Sequence, residues 1–325
     1  MQHARHREVV AILVLFDPHS DPRAVVQGLA QALGGVVVVD NALQGHPHRD
    51  ALAAQPGVQL LRNANRGGLA GAYNAALRHL EASALPWSAI VFVDDDSDTS
   101  VLGAFLSDPV TRAALGRPDT AAVSAVYRDR ATGLRAAYTQ LERFRYRSLP
   151  REQRGLVPVA FLINSMSVWR REALQRLGAF NEALSVDRID TDYCLRARRA
   201  GLGVFINGDH VFAHSIGRRV SYTFFGVTLQ TAGYGPERRF MIARNTVWLA
   251  RRYLRADPAL LWLSFLWIGY EVVGVLMAER NKPAKLTAIA RGVWRGLVSS
   301  MPKQTDASGR KCAGSSAAEM DDDAP

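Results

Sequence analysis

A chain of 325 residues with 48% hydrophobic content can bury a sizeable core, in one large domain or in one domain with an appendage. Its formal net charge of +10 comes mainly from arginines spread along the chain, which suits phosphate ligands and an anionic membrane surface. No zinc-finger or RNA-recognition pattern accompanies that charge, so no nucleic-acid partner is expected. Two distant cysteines, Cys194 and Cys312, argue against a disulfide scaffold or a zinc site and fit a reducing cytosol.

The N-terminus is basic and then apolar, but its apolar run (9–16) is short. Asp17-Pro18 follows where a signal peptide would need small residues, so the run predicts a first strand. Residues 22–33 have helical spacing, and 36–39 form a second run of β-branched residues ending at Asp40-Asn41. Residues 58–61 predict a third strand, 69–82 a helix, and 89–93 a fourth strand. Strands alternating with helices imply a parallel α/β sheet. Such sheets bind ligands outside the C-terminal ends of their strands, and Asp17, Asp40 and the acidic run Asp94-Asp95-Asp96 all fall at such ends.

Three successive carboxylates repel one another and are costly to desolvate, so a cation should hold them. Hard oxygen donors suit Mg²⁺ or Mn²⁺, ions that keep open positions for substrate phosphates. An acidic turn that is merely solvated is the plain alternative. An EF-hand starting at Asp94 fails, because Thr99 and Phe105 stand where Gly and Glu are required. A haloacid-dehalogenase-type phosphatase would use Asp94 as nucleophile, but that family carries its motif on the first strand.

The glycines of Asn65-Arg66-Gly67-Gly68-Leu69 lead into a helix and could offer backbone N–H groups to a pyrophosphate, with Arg66 assisting; an ordinary helix N-terminus is the alternative. After residue 100 the pattern is mixed. Strands are expected at 123–127, 160–169 and 203–206, and helices at 171–177 and 192–200. Asp187, Asp190 and Asp192 lie at a helix start, where the dipole would keep a carboxylate ionised and poised as a base. Asp190 or Asp192 could instead simply cap that helix.

Taken together, Val38-Val39-Asp40-Asn41, Asn65 to Asn74, Phe92-Val93-Asp94-Asp95-Asp96-Ser97, Leu177-Gly178-Ala179-Phe180-Asn181-Glu182 and Asp190-Thr191-Asp192-Tyr193-Cys194-Leu195-Arg196 resemble the inverting nucleotide-sugar glycosyltransferases of family two. Within that family the chain looks most like bacterial rhamnosyltransferases that use dTDP-L-rhamnose. His214-Ser215-Ile216-Gly217 and the segment from Phe240 to Asn245 match further elements of their pattern. The resemblance implies a GT-A fold: a Rossmann-like, mixed but mainly parallel sheet flanked by helices. It also implies that Asp94 and Asp95 contact the nucleoside, Asp96 binds a divalent cation with His214 near it, and Asp40 and Asn41 face the base. Asp190 would be the catalytic base. Asp17, where relatives often carry Asn, and Asp187, Asp192 and Arg196 are further candidates. A non-catalytic sugar-nucleotide sensor is the remaining reading.

Ala259–Ala278 is long enough to span a bilayer, yet Glu271 lies inside it and basic residues flank both ends. Its tryptophans, with Trp294 beyond it, suit a membrane interface. The expected arrangement is a catalytic domain over 1–250 and an apolar helical appendage over 251–300 lying on the cytoplasmic face of the inner membrane, where a lipid-linked saccharide or a glycolipid would be the acceptor. Burial of the apolar stretch against the domain, or in a homodimer, is the alternative. Residues 301–325 are small, polar and acidic, and are expected to be disordered.

Overall fold

A computed structural model of the chain describes residues 6–16, 21–95, 97–215, 220–225 and 227–302. Asp17, Asp96, Ile216, Gly217 and the acidic tail therefore lie outside the described residues. The first half runs β1 (His6–Leu15), α1 (Arg23–Ala32), β2 (Leu33–Asp40), α2 (Arg49–Ala53), β3 (Val58–Arg62), α3 (Gly68–Ala82) and β4 (Ala89–Asp94). Next come α4 (Leu102–Ser107), α5 (Pro109–Leu115), β5 (Thr120–Asp129), β6 (Thr139–Glu142), β7 (Arg145–Ser148), β8 (Leu156–Val159) and β9 (Ser167–Arg170). Then follow α6 (Arg171–Leu177), α7 (Ile189–Arg199), β10 (Gly203–His214), β11 (Val220–Phe224) and β12 (Val227–Thr231). Three helices close the described chain: α8 (Pro236–Tyr253), α9 (Ala259–Ala278) and α10 (Lys282–Val298).

Eight strands form one sheet in the order β3-β2-β1-β4-β9-β5-β10-β8. The first four are mutually parallel, as the alternation of strands with helices predicts. Period-two alternation sends successive residues to opposite faces. Val10, Ile12, Val37, Val39, Ile90 and Phe92 meet α3 on one side. Val9, Ala11, Leu13, Val36, Val38 and Val91 meet α1 on the other. Phe92 is fully buried against Tyr73, with ring centroids 4.3 Å apart, and truncating it to alanine would cost roughly 3–5 kcal/mol. The sheet is thus mixed and mainly parallel, with helices on both faces.

Register aligns the strand ends that matter. Leu15 pairs with Asp40, Val14 with Asp94, and Asp40 with Arg62, so the two aspartates finish at one edge of the sheet. The second half departs from the expected strand over 160–169. Only β9 is extended there, and it inserts antiparallel between β4 and β5. Residues 164–166 turn instead: Met166 has φ of 59°, its N–H donates to the Phe92 carbonyl at 2.7 Å, and Asn164 and Ser165 are carried to the C-terminal edge of β4. Residue 250 falls within α8, and α9 packs on α8, β7, β11 and β12.

Candidate active site

At the end of β2, Asp40 is completely buried. Its carboxylate accepts from the backbone N–H groups of Ala42 and His46, both at 3.1 Å, and lies 3.4 Å from the Arg62 guanidinium. Two backbone donors and a cation satisfy most of its lone pairs, which shapes the loop after β2. Asn41 is equally committed. Its side-chain oxygen accepts from Asn63 at 2.7 Å and from the Asn65 N–H at 2.9 Å, while its amide donates to the Gly68 carbonyl at 3.2 Å.

The glycine-rich segment that follows has a packing task. Gly67 and Gly68 have φ of 67° and 64°, a conformation that side chains rarely adopt. A Cβ on Gly68 would lie 2.3 Å from Ser185 Oγ, and one on Gly71 would lie 1.9 Å from the Arg66 carbonyl oxygen. The bare Cα atoms of Gly67 and Gly68 let the 3-10 turn Glu182–Leu184 and Ser185 press onto the start of α3, where the Ala70 N–H donates to the Ser185 carbonyl at 3.0 Å. Arg66 is exposed, with its Nε on the Asn63 carbonyl at 3.1 Å. Asn245, completely buried in α8, grips the same turn by donating to the carbonyls of Leu184 and Asp187, each at 2.9 Å. The segment carrying Asp187 and Asp190 is thus held from both sides.

A cavity of about 320 Å³ opens beside it, lined in part by Asp94, Asn164, Asp187, Arg188, Asp190 and His214. Asp94 arrives at the end of β4 and His214 at the end of β10, with His214 Nε2 3.8 Å from Asp94 Oδ2. On its other nitrogen, His214 meets Ser97 Oγ at 3.4 Å, and that hydroxyl bonds Ser165 at 2.6 Å. The imidazole is nearly buried, so this chain of hydroxyls fixes its orientation. Asn164 Oδ1, also buried, has no hydrogen-bond partner among the described residues.

Across the cavity, α7 opens with Arg188 in the left-handed region at φ 70°, a strained position for a residue with a side chain. Arg188 stacks on Trp267 of α9, 3.9 Å from the ring centroid, and donates to Thr246 at 3.1 Å. Two residues on, Asp190 faces the cavity from the first turn of α7. Burial pushes its carboxyl above the ordinary carboxylate range, against the opposing hydrogen bond from the Thr191 N–H and the charge of Arg188. Asp187 is gripped by Arg238 through contacts of 3.0 and 3.2 Å, and that guanidinium stacks 3.9 Å above Tyr234.

Other expected residues fall elsewhere. Asp192 is buried behind the site, accepting from Tyr253 at 2.9 Å and paired with Arg196 at 3.1 Å. Arg196 also donates to the carbonyls of Leu177 and Ala179, so its guanidinium braces the turn after α6. Neither residue lines the cavity, and Asp95 does not line it either. Among the described residues no group of three or more His, Cys, Asp or Glu is placed to hold a metal ion; Asp96 is outside them. Tyr234, Arg238 and Glu271 line the outer wall from the segment before α8, from α8 and from α9. They are absent from the expected set, although a lone carboxylate in an apolar helix was the available signal for Glu271. Glu271 pairs with Arg239, which also pairs with Glu279, itself bonded to Lys285 at 2.6 Å.

A family model described as glycosyl transferase family 2 matches residues 24–178. The dTDP-rhamnosyl transferase RfbF of Shigella flexneri is 26% identical over 281 residues, 84% of this chain and 90% of that protein. Among solved structures, GalNAc-T7 with UDP, GalNAc and Mn²⁺ gives a TM-score of 0.48 at 13% identity, with 75% of this chain and 49% of that one covered. TarS of S. aureus gives 0.43 at 13% identity, with 90% and 44% covered. The chain thus spans about half the length of these two solved chains.

Proposed function

We propose that this glycosyltransferase, whose residues 24–178 match the family-two model, transfers L-rhamnose from dTDP-L-rhamnose, with inversion, to a hydroxyl of a lipid-linked saccharide or a rhamnolipid-type glycolipid. The phosphatase reading is set aside, because Asp94 closes the fourth strand and not the first. The single observation carrying the proposal is the shared cavity, which gathers Asp94 and His214 on one wall and Asp187 and Asp190 on the other. The donor choice follows the relative's specificity, at 26% identity over most of both chains.

In this reading Asp190 accepts the proton of the acceptor hydroxyl while that oxygen bonds to the anomeric carbon. The bond to dTDP breaks on the opposite face, so one displacement inverts the centre. A burial-raised carboxyl suits this base role, since the proton it takes is held more firmly than by a solvated aspartate. Asp187, held by Arg238, keeps the approach polar and fixed. Asp40 and Asn41 shape the base-binding loop, with Asp94, Asp95 and Arg66 toward the ribose and phosphates.

A carboxylate and an oriented imidazole on one wall, with an unpaired amide oxygen on Asn164 nearby, form a donor set that suits Mg²⁺ or Mn²⁺. Asp94 and His214, joined by Asp96, would hold the ion, which when bound neutralises charge on the departing diphosphate. The acceptor enters past Tyr234, Arg238 and Glu271, and α9 carries an exposed apolar face that suits a peripheral position on the cytoplasmic leaflet. The 251–300 helices are then an integral wall of the catalytic unit.

Thermal-shift titration of dTDP-, UDP- and GDP-sugars with Mn²⁺ tests the donor and the metal together. The expected result is a metal-dependent response to dTDP-L-rhamnose that is lost in His214→Ala. A response confined to UDP- or GDP-sugars would remove the rhamnose assignment.

A further inference from the structure

The hairpin of β6 and β7 is not used by the chemistry above, yet its tip has an unusual composition. Phe144 stands at the turn with 83% of its surface open, between the exposed Arg143 and Arg145. A large apolar ring at a loop tip is costly to leave in water, and cations on both sides do not cover it.

The hairpin is fastened to the apolar helix. Tyr146 of β7 donates to Asp257, which also receives Arg198 and immediately precedes Pro258, the N-cap of α9. Tyr146 stacks on Phe161 at 5.4 Å, and Phe161 meets Trp267 of α9 edge-on at 5.7 Å. The hairpin therefore moves with the N-terminal half of α9. That half exposes Trp262 at 64% and Phe265 at 66%, stacked on each other at 5.5 Å, with Leu261 and Leu266 beside them. Arg252 and Arg255, exposed at the end of α8 and just beyond it, bring further positive charge to the same end.

We infer that the tip of the β6–β7 hairpin and the outer face of α9 form one two-part docking surface for an anionic lipid bilayer, with Phe144, Trp262 and Phe265 entering the interface and Arg143, Arg145, Arg252 and Arg255 meeting the headgroups. The inference rests on the membrane-side position given under Proposed function, and adds a second anchor distant in sequence. Aromatic rings beside arginines match the two layers of a bilayer surface, apolar below and anionic above. A second copy of this chain would bring a like-charged rim against this one, which disfavours that occupant. Two anchors on different elements also fix orientation, which a single helix free to roll does not. The cavity wall at Glu271, on the same helix, is then held at a set height above the lipid.

The test uses the full chain with vesicles of phosphatidylcholine alone or mixed with phosphatidylglycerol, in sedimentation binding assays. The parent should bind the anionic vesicles and release them as salt rises. Phe144→Ser should weaken partitioning about tenfold, as should Trp262→Ser with Phe265→Ser. Thermal shift by dTDP with Mn²⁺ should stay at the parental size in both variants, which shows that fold and donor site persist. Parental vesicle binding by Phe144→Ser would overturn the two-part surface. So would a dimer in light scattering that Trp262→Ser dissolves while no vesicle binding is seen. Loss of the dTDP response in the parent with vesicle binding intact would instead count against the donor reading and leave the docking surface standing.

Discussion

Replacing Asp190 with asparagine separates the base from every other role of that side chain. The amide is nearly isosteric and keeps an oxygen to accept from the Thr191 N–H, a contact of 2.7 Å in the parent, so the start of α7 should hold. What disappears is the capacity to take a proton. A positioned general base contributes roughly 10²–10⁴-fold, or about 3–5 kcal/mol of barrier, so kcat should fall within that range. Affinity for dTDP-L-rhamnose should be unchanged if, as proposed, Asp190 meets the acceptor and not the donor. Stability should move in the opposite direction to activity. Burial raises the folded pKa of Asp190 above that of the unfolded chain. The parental side chain therefore contributes its stability when protonated, below the unfolded carboxylate value of roughly 3.9, and loses it as pH rises through the folded value. Asparagine has no such loss. Asp190→Asn should accordingly melt higher than the parent near pH 7, and the gap should close as the solution is acidified. Single-turnover release of dTDP and thermal melts across pH measure both effects. Retention of more than about a tenth of parental kcat would refute the base assignment, given the size such groups normally contribute.

Arg238→Ala removes the two-pronged grip on Asp187 and leaves that carboxylate to repel Asp190; the pH at which transfer half-declines on the acid side should rise, read from a pH–rate profile. Gly71→Ala places a Cβ against the Arg66 backbone, so the loop entering α3 must shift; a loss of about 1–3 kcal/mol is expected in denaturant titration, with transfer reduced as well. Asp192→Ala leaves Arg196 without its carboxylate partner and frees the Tyr253 hydroxyl, costing about 3–5 kcal/mol, while kcat per folded molecule stays close to that of the parent.

These contrasts also mark what the sequence makes legible. β1, β2 and β4 announce themselves because both faces of each are covered, leaving runs such as Val36-Val37-Val38-Val39 with no polar interruption. Their acidic ends are legible for the same reason, since a charge after such a run must lie at the sheet edge. The second half is harder. β9 is short and antiparallel, and its neighbours β4 and β5 are far from it in sequence, so nothing local distinguishes it from the turn at 164–166 that precedes it. The glycines at 67, 68 and 71 read locally as a phosphate-binding loop, but the atoms that require them belong to Glu182, Ser185 and Arg66, the first two more than a hundred positions along. Among Asp187, Asp190 and Asp192, spacing alone does not separate the residues facing the cavity from the one behind it. The partners that decide are Arg238 for Asp187 and Tyr253 with Arg196 for Asp192.

The same limit governs α9, whose sequence is apolar on all sides and so has no amphipathic phase to read. Its orientation is set by one residue. Glu271 reaches inward to Arg239, and at 3.6 residues per turn Leu260, Ser264, Trp267 and Val275 fall on that inner side, where the structure buries or half-buries them. Trp262 lies nine residues before Glu271, two and a half turns away, and so faces directly outward; Leu266 and Phe265 flank it. The carboxylate that argues against a simple bilayer span is thus the residue that gives the helix an inside and an outside. Substituting Glu271 with leucine would make α9 more apolar, yet it would strand the buried Arg239 beside a single remaining carboxylate, Glu279. A membrane-association gain in that variant should therefore come with a loosened cavity wall and weaker transfer. If Glu271→Leu kept full transfer and a parental melting temperature, the inward face would have another determinant, and the link between the helix and the catalytic cavity would have to be rebuilt on Trp267 and Arg188 alone.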